Sequence, residues 1–215
     1  MVTLSLIIKF RIILVFVSFK KKLSIDIICV SPIPSKSIKL LSIFFLLFRS
    51  NNFEKFIHNY SYNFNKTFRK IDFKKIKKIT LIIEKKIFKN NHIFLAGNGG
   101  SAAVANHFVT DFNKGIKLSS KKKIVPKIIS LSNSAEWITA IANDISFKEV
   151  FVHQLENYAK KGDCIIIFSC SGKSENIKKI INYANKRNLT CVFFTGFLFR
   201  DLSSKNIIHY DLGIK

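Results

Sequence analysis

Two short apolar runs that end abruptly in glycine- and serine-rich turns limit most strongly what this chain can fold into. His92-Ile-Phe-Leu-Ala96 passes at once into Gly97-Asn-Gly-Gly-Ser101, and Cys164-Ile-Ile-Ile-Phe168 passes into Ser169-Cys-Ser-Gly-Lys-Ser174. After each turn the apolar spacing becomes helical, over 102–112 and 176–187. Further apolar runs at 127–131, 189–195 and 206–210 read as strands, with helical pieces at 137–142 and 147–158. Strands without alternating polarity, separated by helices, predict a parallel sheet covered on both faces. Right-handed crossovers make it a three-layer, doubly wound α/β domain. Upstream, Phe53, Phe56, Ile57, Tyr60, Phe64 and Phe68 form one helical stripe. A second helix fits 72–88, with Asp72 as N-cap and Ile76, Ile79, Ile82, Ile83 and Ile87 on one face.

Composition narrows the class. A chain of 215 residues can bury a sizeable core, and 48% hydrophobic with 23% charged residues excludes a disordered tail. Four cysteines with no Cys-x-x-Cys pair exclude a disulfide scaffold and a zinc ribbon. The formal net charge of +23 suits an anionic partner. The lysines are scattered among Ile, Asn and 22 Phe, as A/T-rich coding sequence would give, and mark no recognition helix. A small phosphorylated ligand fits that excess; a nucleic-acid reading rests on charge alone.

Residues 1–50 differ in texture. The apolar runs at 4–19 and 38–48 fall short of the ~20 residues a spanning helix needs, and Lys9 and Arg11 interrupt the first. No charged start or small-residue cleavage site marks a signal peptide. The segment reads as sequence without a fold of its own; a membrane-surface extension and a degenerate signal are the alternatives. The expected organisation is an apolar, basic extension over 1–50, helices over 51–90 and an α/β core over 91–215.

The two turns carry the chemistry. In open α/β sheets ligands gather outside the carboxyl ends of the strands. Glycines let a backbone approach a ligand closely. Hydroxyls beside the free N–H groups of a helix start make a phosphate cradle. Neither turn fits Gly-x-Gly-x-x-Gly or Gly-x-x-x-x-Gly-Lys-Ser/Thr, so no nucleotide cofactor is expected.

Gly97-Asn-Gly-Gly-Ser-Ala-Ala103, then His107 and Asp111, then Ala142-Asn-Asp144, then the serine-rich loop, resemble the sugar-isomerase (SIS) domain of phosphoheptose isomerases over about residues 51–215. The resemblance implies a flavodoxin-like sheet with an N-terminal helical extension. It implies a cytoplasmic aldose–ketose isomerase that turns sedoheptulose 7-phosphate into a heptose 7-phosphate for lipopolysaccharide and related envelope polymers. Ser169, Cys170, Ser171 and Ser174 would hold the phosphate, and Asn98, Gly99, Gly100 and Ser101 would contact the sugar or phosphate. Cys170 stands where the family usually has Thr, and Lys173 where it often has Asn. His107 matches a metal-binding histidine of the zinc-containing members. Asp111 stands where the family commonly has a Glu that serves as base and metal ligand. Both are thus the expected catalytic and metal residues. The family is homotetrameric, with sites shared between subunits.

The chemistry is consistent with those groups. Moving a proton between C1 and C2 through an enediolate needs a carboxylate or imidazole near an acidic C–H, and a donor or metal where the oxyanion develops. Spacing of i,i+4 puts His107 and Asp111 on one helix face, although such a pair alone is commonly a surface ion pair. In the family a long helix after the last strand supplies a second histidine, and no residue up to Lys215 matches it. Zinc is therefore expected with an incomplete ligand set. The competing expectation is a phosphosugar-binding module without turnover. His58 and His92 read as structural, His153 as solvated, and His209 as polar-facing. Cys164 and Cys191 read as inert buried thiols, and Glu136 and Asn143-Asp144 as residues that hold a loop.

Overall fold

A computed structural model describes residues 53–196 and 204–211. The expectations for residues 1–50 lie outside these described residues. Helix α1 (Phe53–Phe68) belongs to one compact unit, which ends at Ile71, and the residues from Asp72 onward belong to another. Within α1 the aromatic stripe stacks on itself, with Phe56–Tyr60 ring centroids 6.3 Å apart and Phe64–Phe68 6.4 Å apart.

The second unit is the α/β body. It runs α2 (Phe73–Phe88), β1 (His92–Gly97), α3 (Gly100–Ser119), β2 (Lys127–Ser130) and α4 (Ala135–Ile141). A π-helical turn (Ala142–Ser146), α5 (Val152–Tyr158), β3 (Cys164–Ser169), α6 (Glu175–Lys186), β4 (Thr190–Thr195) and β5 (Ile207–Asp211) follow. All four strand pairings are parallel, in the order β2-β1-β3-β4-β5. The chain steps from β1 outward to β2, then crosses back over β1 to β3. The order therefore reverses between β1 and β3, and a crevice opens outside their carboxyl ends.

Helix α2 buries the face its spacing predicts. Asp72 caps α2 by accepting the Lys75 N–H at 3.0 Å, and Ile76, Ile79, Ile83 and Ile87 go inward. Thr80 takes the core place expected for Ile82, because its hydroxyl donates to the Ile76 carbonyl at 2.9 Å and needs no outside partner. On the α3 side of the sheet an aromatic layer runs from Phe108 to Phe168 (6.0 Å), Phe194 (5.5 Å) and Tyr210 (6.1 Å). On the opposite side, Phe94, Ile165, Ile167 and Phe193 pack with Leu155, Ile177 and Ile181 of α5 and α6. Asp163, 2% exposed, closes the amino end of the sheet by accepting the backbone N–H groups of His92 and Lys160, both at 2.8 Å. Along β2, the side-chain amide of Asn113 donates to the Ile128 carbonyl at 2.8 Å and accepts the Ile128 N–H at 3.2 Å.

Two elements depart from the sequence expectation. Helix α3 continues past residue 112 to Ser119, because Ile116 is still buried and Gly115 has open space around it. The helix expected over 147–158 begins only at Val152. Val150 and Phe151 are nevertheless 0% and 2% exposed, so turns that pack into the core produced the apolar spacing there.

Gly97 shows how tightly the site end is built. A Cβ there would lie 2.6 Å from the backbone of Ser101, so β1 runs into α3 with no room for a side chain. Gly97→Ala is expected to cost about 1–3 kcal/mol in urea unfolding. Gly100→Ala meets nothing within 4 Å and should leave stability near that of the parent.

Candidate functional site

The crevice between β1 and β3 is lined by the two turns that the sequence singles out. Gly99 adopts φ 53° and ψ −124°, a conformation open to glycine almost alone, and it turns the chain into α3. No side chain caps α3, and none caps α6, whose N-cap is Ser174. Elsewhere Asp72 and Ser134 cap α2 and α4 in the ordinary way. Neither helix start at the crevice has a side-chain cap; at α3 the Ser101 and Ala102 N–H groups go to the Asn98 and Gly99 carbonyls, so the first amides of α6 are the ones that suit an anion.

The serine loop is held in part by its own hydroxyls. Ser169 Oγ accepts the Gly172 N–H at 3.2 Å, and Ser171 Oγ accepts the Lys173 N–H at 3.3 Å. Each hydroxyl accepts through a lone pair and keeps its proton for a ligand oxygen. Gly172 at φ 69° makes the bend. Glu175 opens α6, and the Lys178 ammonium 2.7 Å away holds its carboxyl below the ordinary value. That ammonium offsets the one negative side chain in the first turn of α6.

Asn98 of the glycine turn and two side chains outside the motifs, Asn176 and Ser132, join the turns. Asn98 and Asn176 exchange amide hydrogen bonds, each donating Nδ2–H to the other's Oδ1 at 2.9 Å. Asn176 is 1% exposed. This pair ties the glycine turn to the start of α6. Each amide spends one N–H and one lone pair in this pair, so the half-buried Asn98 keeps donor and acceptor capacity that a ligand could use. Ser132, just beyond β2, accepts the Gly97 N–H at 3.1 Å and donates to the Gly97 carbonyl at 2.8 Å. A polar residue directly after an apolar strand was the sequence signal for Ser132. Asn176 gave only the ambiguous signal of a polar residue in the first turn of a helix. Ser101 is 7% exposed and packed against Gly97.

His107 and Asp111 do meet, with Nε2 3.3 Å from Oδ2. They lie about 10 and 16 Å down α3 from the crevice, at 1.5 Å per residue. A zinc site needs three or four protein ligands, and among the described residues no three His, Cys, Asp or Glu side chains gather. The pair alone does not fit that metal. Asn143 donates to Asp144 at 2.8 Å within the π-helical turn, as expected for a loop-holding pair.

The other histidines differ from expectation in two places. His153 is not solvated: its ring meets Trp137 edge-on at 5.9 Å and its Nδ1 is buried without a hydrogen-bond partner. His209 turns toward the buried Thr195 hydroxyl instead of solvent. His92 stacks on Phe94 at 5.8 Å, and His58 is exposed.

The SIS domain model matches residues 56–196. The chain belongs to the SIS domain family. This SIS domain is 35% identical over 130 residues to the phosphoheptose isomerase of Thermodesulfovibrio yellowstonii, covering 60% of this chain and 63% of that protein. It is 39% identical over 114 residues to the probable phosphoheptose isomerase of Thermoplasma acidophilum, covering 53% and 61%. The chain spans about half to two thirds of the length of the curated relatives it matches. Among solved structures, the phosphoheptose isomerase GmhA from Neisseria gonorrhoeae shares the fold. Its TM-score is 0.62 at 22% identity, over 74% of this chain and 87% of that one.

Two outcomes test the site. Asn98→Ala should cost about 1–3 kcal/mol, since it strands the buried Asn176 amide, and Asn176→Ala should cost less, since Asn98 is only partly buried. The double variant should cost less than their sum in urea unfolding, and simple additivity would dissolve the clasp. The second outcome concerns the thiols. Burial pushes the Cys164 thiol up to about 12 and raises Cys191 as well, while Cys170 is half-buried in the loop. Of these three, only Cys170 should react with iodoacetamide at pH 8 in the native chain, as read by peptide mapping.

Proposed function

We propose that this domain binds a phosphorylated sugar in the β1–β3 crevice and interconverts its ketose and aldose forms, with sedoheptulose 7-phosphate as substrate. The observation that carries the reading is the joining of two uncapped helix starts, through Asn98 and Asn176, beside a loop of three serine hydroxyls. Phosphate oxygens there receive O–H donors from Ser169, Ser171 and Ser174 and N–H donors from the start of α6. Lys173 adds positive charge on the same loop. The sequence similarity to phosphoheptose isomerases supports the choice of sugar.

Holding the phosphate fixes the reacting carbons at the far end of the sugar. The Asp111 carboxylate then removes the proton from C1 of the ketose. The electron pair forms the enediolate, and the proton returns at C2 to give the aldose. His107, beside it at 3.3 Å, orients the carboxylate and can carry a proton to or from the sugar oxygens. Because Asp111 stands well down α3 from its own chain's cradle, the reading takes Asp111 and His107 from a second copy, in a homo-oligomer. A cytoplasmic place in envelope polysaccharide supply belongs to the same reading.

The test uses the full chain with sedoheptulose 7-phosphate. Ser171→Ala should raise KM about tenfold or more, as expected when a hydrogen bond to a charged group is lost. Asp111→Asn should abolish turnover and leave phosphosugar binding intact. Mixing the two variants should restore part of the activity, because a mixed oligomer pairs an intact cradle with an intact carboxylate. Binding without turnover in the parent chain would instead mark a phosphosugar-binding module.

A further inference from the structure

The rank of residues that ends the sheet at the crevice continues beyond the serine loop. Thr195, the last residue of β4, is 1% exposed and pairs in register with Ser169 of β3 and Asp211 of β5. Its Oγ1 lies 2.7 Å from Nε2 of His209. The next residue, Gly196, donates its N–H to the carbonyl of Cys170 at 3.0 Å. Cys170 lies between Ser169 and Ser171, at the centre of the cradle. A chain of contacts thus runs from an imidazole on β5, through the end of β4, to the backbone of the serine loop.

The imidazole is itself fixed. Its ring lies against Phe193, with centroids 5.2 Å apart and planes at 30°. A hydroxyl as buried as Thr195's needs a steady partner, since an unmet buried hydroxyl costs free energy. His209 supplies one from the neighbouring strand. A β-strand end with that anchor has one preferred exit direction, and the exit direction aims the Gly196 N–H.

We propose that His209 is a positioning residue for the phosphate cradle, acting through Thr195 and Gly196 to hold Cys170 and so Ser171 in the binding geometry. The proposal rests on the cradle reading given above, and it adds a residue two strands away from the ligand. Burial lowers the His209 pKa, against a raising influence from Asp211 and with a smaller lowering one from Lys75. At neutral pH the ring is therefore uncharged and offers one nitrogen as acceptor and one as donor. It serves as a strut and not as a cation attracting the phosphate.

The full chain is titrated with inorganic phosphate, and hydrogen exchange is followed at the Gly196 amide. Thr195→Val and His209→Leu should each weaken phosphate binding about three- to tenfold, the worth of one hydrogen bond. The double variant should be no weaker than either single one, since both remove the same contact. His209→Gln should restore binding, because its terminal amide reaches the place of Nε2. Protection of the Gly196 amide should fall in His209→Leu and return in His209→Gln, with core amides of β1 unchanged. Full Gly196 protection in both His209→Leu and Thr195→Val would overturn the proposal. So would a loss of binding that His209→Gln fails to restore. Ser171→Ala separates the two readings: unchanged phosphate binding in that variant sinks the cradle, whereas Gly196 exchange judges the strut by itself.

Discussion

The reciprocal amide pair between Asn98 and Asn176 is the contact on which the site depends. A parallel sheet delivers each strand end to the same side, but it leaves the turns that follow free to go separate ways. Two carboxamides facing each other across the gap satisfy all the hydrogen-bonding needs that burial imposes on the inner pair of groups. Their geometry allows one separation. The glycine turn and the start of α6 are then parts of one wall. Ser132 adds a second tie from β2, and Gly196 a third from β4. Four strand ends are thus laced together by side chains and amides.

The sheet and both turns were legible in the sequence because each depends on local chemistry. Continuous apolar runs such as Ile165-Ile-Ile167 can only be buried on both sides, and Gly97-Asn-Gly-Gly can only be a turn. The i,i+4 relation of His107 to Asp111 was legible for the same reason. The Asn98–Asn176 pair was not, because 78 residues separate its members and the amide of each alone looks like any loop polar group. The π-helical turn and the late start of α5 were hidden by Val150 and Phe151, which mimic helical spacing while packing as turns. The orientation of His209 was hidden as well. A histidine in an edge strand faces solvent by default, and only its diagonal contact with Thr195, two residues beyond its register partner Phe193, reverses that default.

The charge of the chain takes its meaning from where it is absent. An excess of +23 gives a small anion a favourable approach. Under the proposed function the serine loop, by contrast, offers mainly hydroxyl and amide donors, which would hold a phosphate by direction as well as by charge. Glu175, the one acidic side chain in the first turn of α6, is neutralised by Lys178. Long-range attraction comes from the lysine-rich surface, and Lys173 carries part of that charge onto the serine loop itself.

The Asn113 amide that holds both backbone groups of Ile128 has a consequence beyond the monomer's own packing. An outer strand with free N–H and C=O groups is a template on which a second polypeptide can add by strand exchange. At Ile128 both valences are already filled by a side chain from α3. Ile129, 39% exposed, lies directly beside that point and would otherwise offer an apolar foothold. A single carboxamide therefore works as a stopper against fibre-like growth, on a chain whose apolar, lysine-rich composition would make such growth a hazard.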